Sequence, residues 1–264
     1  MKILITGAAG YIGKFLTKYY TESGHDVTPV TRQTCDLLDN AQVKQLFAKH
    51  YDVIIHSALA GREKIHDPSS AFYNENITMF ENLVENRNQY TKFINLGSGH
   101  EYDADRNISY AQEEDILYVE PAADYGRVKN AIARRCLELD NFYTLRLFGL
   151  CHYSEPQSRF FKKLLTSSEF HIYKDCYSDF INLDDLSTII DHVIANDTER
   201  QINCVYEQKY KLSDLAKIFC DIQNLDHKKI IVDGVTDNDY TGDFSRLAGC
   251  KLPLLGLELA MLRY

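Results

Sequence analysis

Through the first half of the chain, short apolar runs alternate with stretches in which apolar positions recur every three or four residues. A run at Lys2–Thr6 predicts a strand, and the amphipathic stretch Tyr11–Ser23 predicts the helix that follows it. The same pattern predicts strands at Asp26–Thr31, Asp52–His56, Lys92–Leu96 and Tyr143–Phe148, separated by helices at Asn40–Lys49, Ser69–Asn88 and Ala122–Leu139. Repeated strand–helix units close through right-handed crossovers, so the expected fold is α/β: a Rossmann-type doubly wound parallel sheet.

Beyond Phe148 the alternation gives way to a polar stretch, Cys151–Ser158, then a helix near Arg159–Leu165 and a strand-like run at Asp179–Leu183. The expected division is a dinucleotide-binding domain of residues 1–149 plus 179–205 and a small C-terminal substrate lobe of residues 150–178 plus 206–264. A ligand would then bind where the lobe meets the ends of the strands.

Composition narrows the function classes. With 45% apolar residues a chain of 264 is too apolar for disorder and long enough to bury a substantial core. The net charge of -9, with no basic block in any window, argues against nucleic acid as a partner. Seven scattered cysteines without a C-x-x-C pair suggest neither a disulfide framework nor a metal site, and fit a reducing cytoplasm. No apolar run approaches membrane-spanning length and no signal-like N-terminus is present, so the expectation is a cytoplasmic chain without membrane attachment.

The strongest chemical signal is the strand-to-helix turn Gly7-Ala8-Ala9-Gly10-Tyr11-Ile12-Gly13. Gly7 permits the bend, Gly10 removes a side chain from the path of a pyrophosphate, and Gly13 lets helix and strand approach closely. Tyr125 and Lys129 stand four residues apart near the start of a predicted helix, where the ammonium favours a phenolate able to trade a proton with a substrate oxygen. A solvent-facing Tyr–Lys pair would read the same. Ser98 follows a predicted strand at the edge where such sheets bind ligands, although Gly97-Ser98-Gly99 also suits a plain turn serine. At the end of the second strand, Arg32 can pair with a 2′-phosphate, which favours NADP(H) as cofactor, with NAD(H) the other candidate.

Taken together, Gly7-x-x-Gly10-x-x-Gly13, Asp36-Leu37-x-Asp39, Ser98, Tyr125-x-x-x-Lys129 and Asp179-Phe180-Ile181-Asn182-Leu183-Asp184-Asp185 resemble the extended short-chain dehydrogenase/reductase family, the NAD(P)-dependent nucleotide-sugar epimerases and dehydratases. The pattern looks most like GDP-fucose synthase and the dTDP-4-dehydrorhamnose reductases, which reduce 4-keto sugars with NADPH. The resemblance implies that Tyr125 is the general acid/base, that Lys129 assists it and bonds the nicotinamide ribose, and that Ser98 polarises the reacting C–O bond. It also implies that Asp36 bonds the adenine amino group, that Leu37 covers the ring, that Ser57 and Ala58 line the cofactor pocket beside Tyr11 and Ile12, and that Asn76 is a structural asparagine.

Two departures bear on the substrate. The epimerising cysteine and histidine of GDP-fucose synthase correspond to His100 and Arg159, so that pair is not reproduced. The asparagine common after the phenylalanine at 148 is replaced by Gly149-Leu150-Cys151-His152. His100 is a candidate acid/base or a loop histidine, Glu101 a candidate acid for dehydration, and Arg159 and Arg246 are candidate diphosphate partners or surface charges. The leading expectation is an NAD(P)-dependent nucleotide-sugar oxidoreductase or epimerase, arranged as the homodimer usual in the family through helices Ser69–Asn88 and Ala122–Leu139. A non-catalytic dinucleotide-binding regulatory subunit on the same fold is the contrasting reading.

Overall fold

The computed structural model describes residues 1–61 and 71–264. In chain order, the first half comprises β1 (Lys2–Thr6), α1 (Tyr11–Glu22), β2 (Asp26–Val30), α2 (Asn40–Leu46), β3 (Tyr51–His56), α3 (Phe72–Val84), β4 (Tyr90–Ser98), β5 (Ile108–Ala111) and α4 (Asp124–Leu137). There follow β6 (Phe142–Leu147), β7 (Gly149–Cys151), α5 (Phe160–Thr166), β8 (Phe170–Ile172), β9 (Tyr177–Ser178), β10 (Phe180–Asn182), α6 (Leu183–Ala195) and β11 (Gln201–Cys204). The chain closes with β12 (Tyr210–Lys211), α7 (Leu212–Gln223), β13 (Ile230–Val232), β14 (Tyr240–Gly242), α8 (Ser245–Gly249) and α9 (Leu257–Met261).

Six strands form one parallel sheet in the order β11-β6-β4-β3-β1-β2. Side chains alternate across it as the pleat requires: Ile3 and Ile5 pack with Leu16 and Tyr20 of α1 and with Leu186, Ile189 and Ile190 of α6. Leu4 and Ile54 point the other way, into a layer with Val43 of α2, Phe80 and Leu83 of α3, and Val128 and Ile132 of α4. Both faces are therefore covered, which is why these strands read as continuous apolar runs. This is the Rossmann-type sheet expected from the alternation. The expected start of the third helix at Ser69 lies outside the described residues.

A separate apolar cluster gathers Phe161 and Leu164 of α5, Leu215 and Phe219 of α7, and Leu257 and Met261 of α9. Three details differ from the sequence expectation. The run at 179–183 forms β10, which pairs with β7 outside the six-stranded sheet. Residues 108–111, expected in the nucleotide domain, form β5 and join β14 of the C-terminal region. Leu247 of α8 packs into the core of the main sheet through contact with β11, although its segment was expected in the lobe. At β5 and α8 too few residues form the element for a period of two or of 3.6 to show, and at β10 the strand is legible but its partner is not.

Candidate functional site

The glycine turn leaves β1 at Gly7, whose φ of +67° falls in the left-handed region and where a Cβ would stand 2.8 Å from the Ala58 backbone. A Cβ on Gly13 would lie 2.2 Å from the Gly7 carbonyl oxygen, so α1 can start this close to the turn only on glycine. Gly10 is the residue before α1; it has no capping side chain, and the first turn carries no acidic residue. The opening amides of α1, at Tyr11, Ile12 and Gly13, thus form an anion cradle for which no described side chain competes, which suits a dinucleotide pyrophosphate.

The cradle's far wall is the end of β3. Ser57 Oγ donates to the Thr6 carbonyl at 2.7 Å, and the Ser57 and Ala58 amides donate to Thr6 Oγ1 at 3.2 and 3.3 Å. Asn76 pins the next residues, accepting from the Ala60 amide at 2.9 Å and donating to the Phe72 carbonyl at 2.7 Å. After β2, Arg32 is exposed on a turn closed by Thr31 and Thr34, and among the described residues it has no ion pair. Asp36 Oδ1 accepts from the Leu38 amide at 3.1 Å. Leu37 is packed into the core, only 5% exposed, which leaves little of it to cover an adenine ring.

Ser98 ends β4. Its Oγ accepts from the His100 amide at 3.2 Å, while its own amide donates to Glu101 Oε1 at 2.8 Å. Helix α4 opens beside it: a Cβ on Gly126 would lie 2.6 Å from the His100 carbonyl oxygen, so glycine is what lets the helix's first turn approach the end of β4. That contact sets the rings of Tyr125 and His100 edge to face, 5.2 Å between centroids. One turn on, Lys129 Nζ donates to the Leu96 carbonyl at 2.8 Å. Its charge reaches His56 at the end of β3, whose imidazole is pushed down to about 3 by burial first and by Lys129 second. Burial likewise lowers His100, against the opposing pull of Asp105, so the imidazole beside Tyr125 is neutral near pH 7. Ser98, His100, Tyr125 and Lys129 therefore gather at the carboxyl end of β4, across β3 from the cradle.

The remaining candidates separate. The Arg159 guanidinium lies 5.5 Å over the ring of Tyr11, at the edge of the cradle. Arg246 does not reach the site: it is bound to Glu113 and Glu114, and donates to the Gln201 carbonyl at the amino end of β11, the opposite end of the sheet. An arginine held by two carboxylates there cannot serve as a diphosphate partner. Glu101 is also unavailable as a dehydration acid, because it is fully buried and paired with Arg146 at 2.6 Å.

One neighbour of the site had no sequence signal. Tyr240, on β14, reaches the end of β4 from the C-terminal region, with its ring 5.5 Å from His100 and 5.0 Å from Phe148. It lies in a polar stretch without periodicity, and the pairing of β14 with β5 on one side and β9 on the other brings it here. Among the described residues no group of three or more His, Cys, Asp or Glu could hold a metal ion, and no helix is long and apolar enough to cross a membrane.

Comparison with known proteins adds to this geometry. Residues 3–207 match the model of the NAD dependent epimerase/dehydratase family. Over 255 residues, 84% of this chain and 82% of the relative, the sequence is 27% identical to GDP-L-colitose synthase of Yersinia pseudotuberculosis. The fold is similar to that of UDP-glucose 4-epimerase with UDP-glucose from Thermotoga maritima, with a TM-score of 0.83 at 19% identity over 100% of this chain and 97% of the other. It is similar also to GDP-mannoheptose C4 reductase from Campylobacter jejuni with NADP bound, with a TM-score of 0.83 at 20% identity over 99% and 96% of the two chains.

Proposed function

The chain belongs to the NAD dependent epimerase/dehydratase family, and from that premise we propose that it is an NAD(P)-dependent oxidoreductase or epimerase acting on a nucleotide-activated 4-keto sugar. The observation that carries this reading is the gathering of Ser98, Tyr125 and Lys129 at the end of β4, across β3 from a glycine cradle that no described side chain occupies.

Each residue has a part in that chemistry. The opening amides of α1 hold the pyrophosphate, with Arg159 at the rim. Lys129, fixed to the Leu96 carbonyl, bonds the nicotinamide ribose. A bound nicotinamide supplies or takes a hydride at its C4 carbon. Ser98 donates to the sugar oxygen at the reacting carbon, and Tyr125 gives or takes that oxygen's proton. Neutral His100 packs against Tyr125 and adds no competing charge. With Glu101 locked against Arg146, the site favours reduction or epimerisation over dehydration. Exposed Arg32, without an ion pair among the described residues, favours NADP(H) through its 2′-phosphate. The likeness to GDP-L-colitose synthase makes GDP-linked sugars the first substrates to try. A homodimer through α3 and α4 belongs to the same proposal.

The test is to mix the purified protein with NADPH or NADH and a panel of nucleotide 4-keto sugars, and to follow cofactor absorbance. Oxidation of NADPH by at least one sugar is expected, falling at least about a hundredfold in Tyr125→Phe, with NADPH bound more tightly than NADH until Arg32→Ala removes the difference. Failure to bind either cofactor, or full activity in Tyr125→Phe, overturns the reading.

A further inference from the structure

Tyr240 is held at the site by its backbone rather than by its hydroxyl. The Asp179 amide donates to the Tyr240 carbonyl at 3.0 Å, and Asp179 Oδ2 accepts from the Gly242 amide at 2.8 Å. The same carboxylate is bound by buried Lys209 at 2.8 Å. The phenol thus carried in faces the Ser98 side chain and the His100 backbone, and burial raises it far above an ordinary phenol, with the nearby Tyr125 adding to the effect, so it stays protonated. Gly99 makes room for it: a Cβ there would be 2.7 Å from the Tyr240 oxygen. Among the described residues that buried oxygen completes no hydrogen bond of good geometry, although the Ser98 side chain and the His100 backbone lie close enough to interact with it.

A buried hydroxyl without a partner destabilises a fold, and phenylalanine would fill the same space without that cost. The oxygen at Tyr240 therefore calls for a role outside stability. Ser98 Oγ already accepts one hydrogen bond, from the His100 amide. A second donor would occupy its remaining acceptor site and leave the serine hydrogen to point into the cleft.

We infer that Tyr240 is a positioning residue, whose hydroxyl donates to Ser98 Oγ once the cleft is filled and so aims the Ser98 hydrogen at the reacting sugar oxygen. The inference rests on the reductase or epimerase reading above. It makes the C-terminal region, through β14, a contributor to the orientation of a group on β4.

Tyr240→Phe keeps the ring and removes the oxygen. Three results are expected: the free protein melts about 3 °C higher; kcat falls about tenfold while KM for sugar and cofactor stays within about twofold; and in a Ser98→Ala background the same substitution changes kcat by less than about twofold. A lower melting temperature, an unchanged kcat, or losses that multiply in the double variant each overturn the inference. Absence of turnover by the unaltered protein with every sugar would remove the functional reading and this inference together. Turnover by the unaltered protein with any of the three contrary results removes the inference alone.

Discussion

Glu101 Oε2 lies 2.6 Å from Arg146 Nε, and both side chains are fully buried. The guanidinium is also used by Tyr102 Oη at 3.0 Å, Asn203 Oδ1 at 3.2 Å and Gln201 Oε1 at 2.8 Å. The other Glu101 oxygen holds the Ser98 amide, so the pair sets the backbone that presents the serine. Removing one partner strands a charge in the interior. Arg146→Met is expected to cost about 3–5 kcal/mol in urea unfolding; a loss below about 1 kcal/mol would show that Glu101 finds its compensation elsewhere.

The cradle gives a second prediction, with its own control. An alanine Cβ at position 13 would stand 2.2 Å from the Gly7 oxygen, a backbone atom that cannot move without opening the turn, whereas at Gly249, in α8, it would meet nothing within 4 Å. Gly13→Ala should therefore lose detectable NADPH binding by fluorescence titration and several kcal/mol of stability. Gly249→Ala should bind cofactor normally and match or exceed the parent's stability by up to about 1 kcal/mol, because alanine is the better helix former. Equal behaviour of the two variants would refute the steric account of the turn.

The contrast between these sites shows what the chain announces in its order of residues. Ile3, Leu4 and Ile5 belong to a strand buried on both faces, and its apolar run is visible at once. The glycine spacing is equally legible, because the backbone approaches too closely at Gly7 and Gly13 to admit a side chain. Tyr125 and Lys129 are one helical turn apart, so a local period places them together. Tyr240 is 142 residues beyond Ser98 in the numbering, and its arrival depends on β14 pairing with two short strands, β5 and β9. No local pattern encodes such a contact. Arg246 failed for a related reason: a guanidinium suits phosphate and carboxylate alike, and only the fold shows that Glu113 and Glu114 claim it. Glu101 looked like a free acid beside the serine until its partner, 45 residues later, came into view.

Glu155 supplies a pH prediction next to the cradle. It is 4% exposed; Oε1 accepts from the Lys162 amide at 2.7 Å, while among the described residues Oε2 completes no hydrogen bond of good geometry. Burial pushes the carboxyl up from 4.5 to about 7, against the opposing pull of the Lys162 amide, the Tyr264 hydroxyl and the charges of Arg159 and Lys162. Its field also reaches Tyr11 of the cradle. The sign follows from proton counting. Below about 4.5 both folded and unfolded chains hold this proton, between there and about 7 the folded chain holds more of it, and above 7 neither does. The group's contribution to stability is therefore complete at acid pH and lost as pH rises through 7. Glu155→Gln removes the titration, so from pH 5 to pH 8 the variant should lose less unfolding free energy than the parent, measured by urea denaturation at both pH values. Parallel pH dependences for the two proteins would mean that Glu155 is ionised in the folded chain throughout, and that solvent or a cation already reaches its second oxygen.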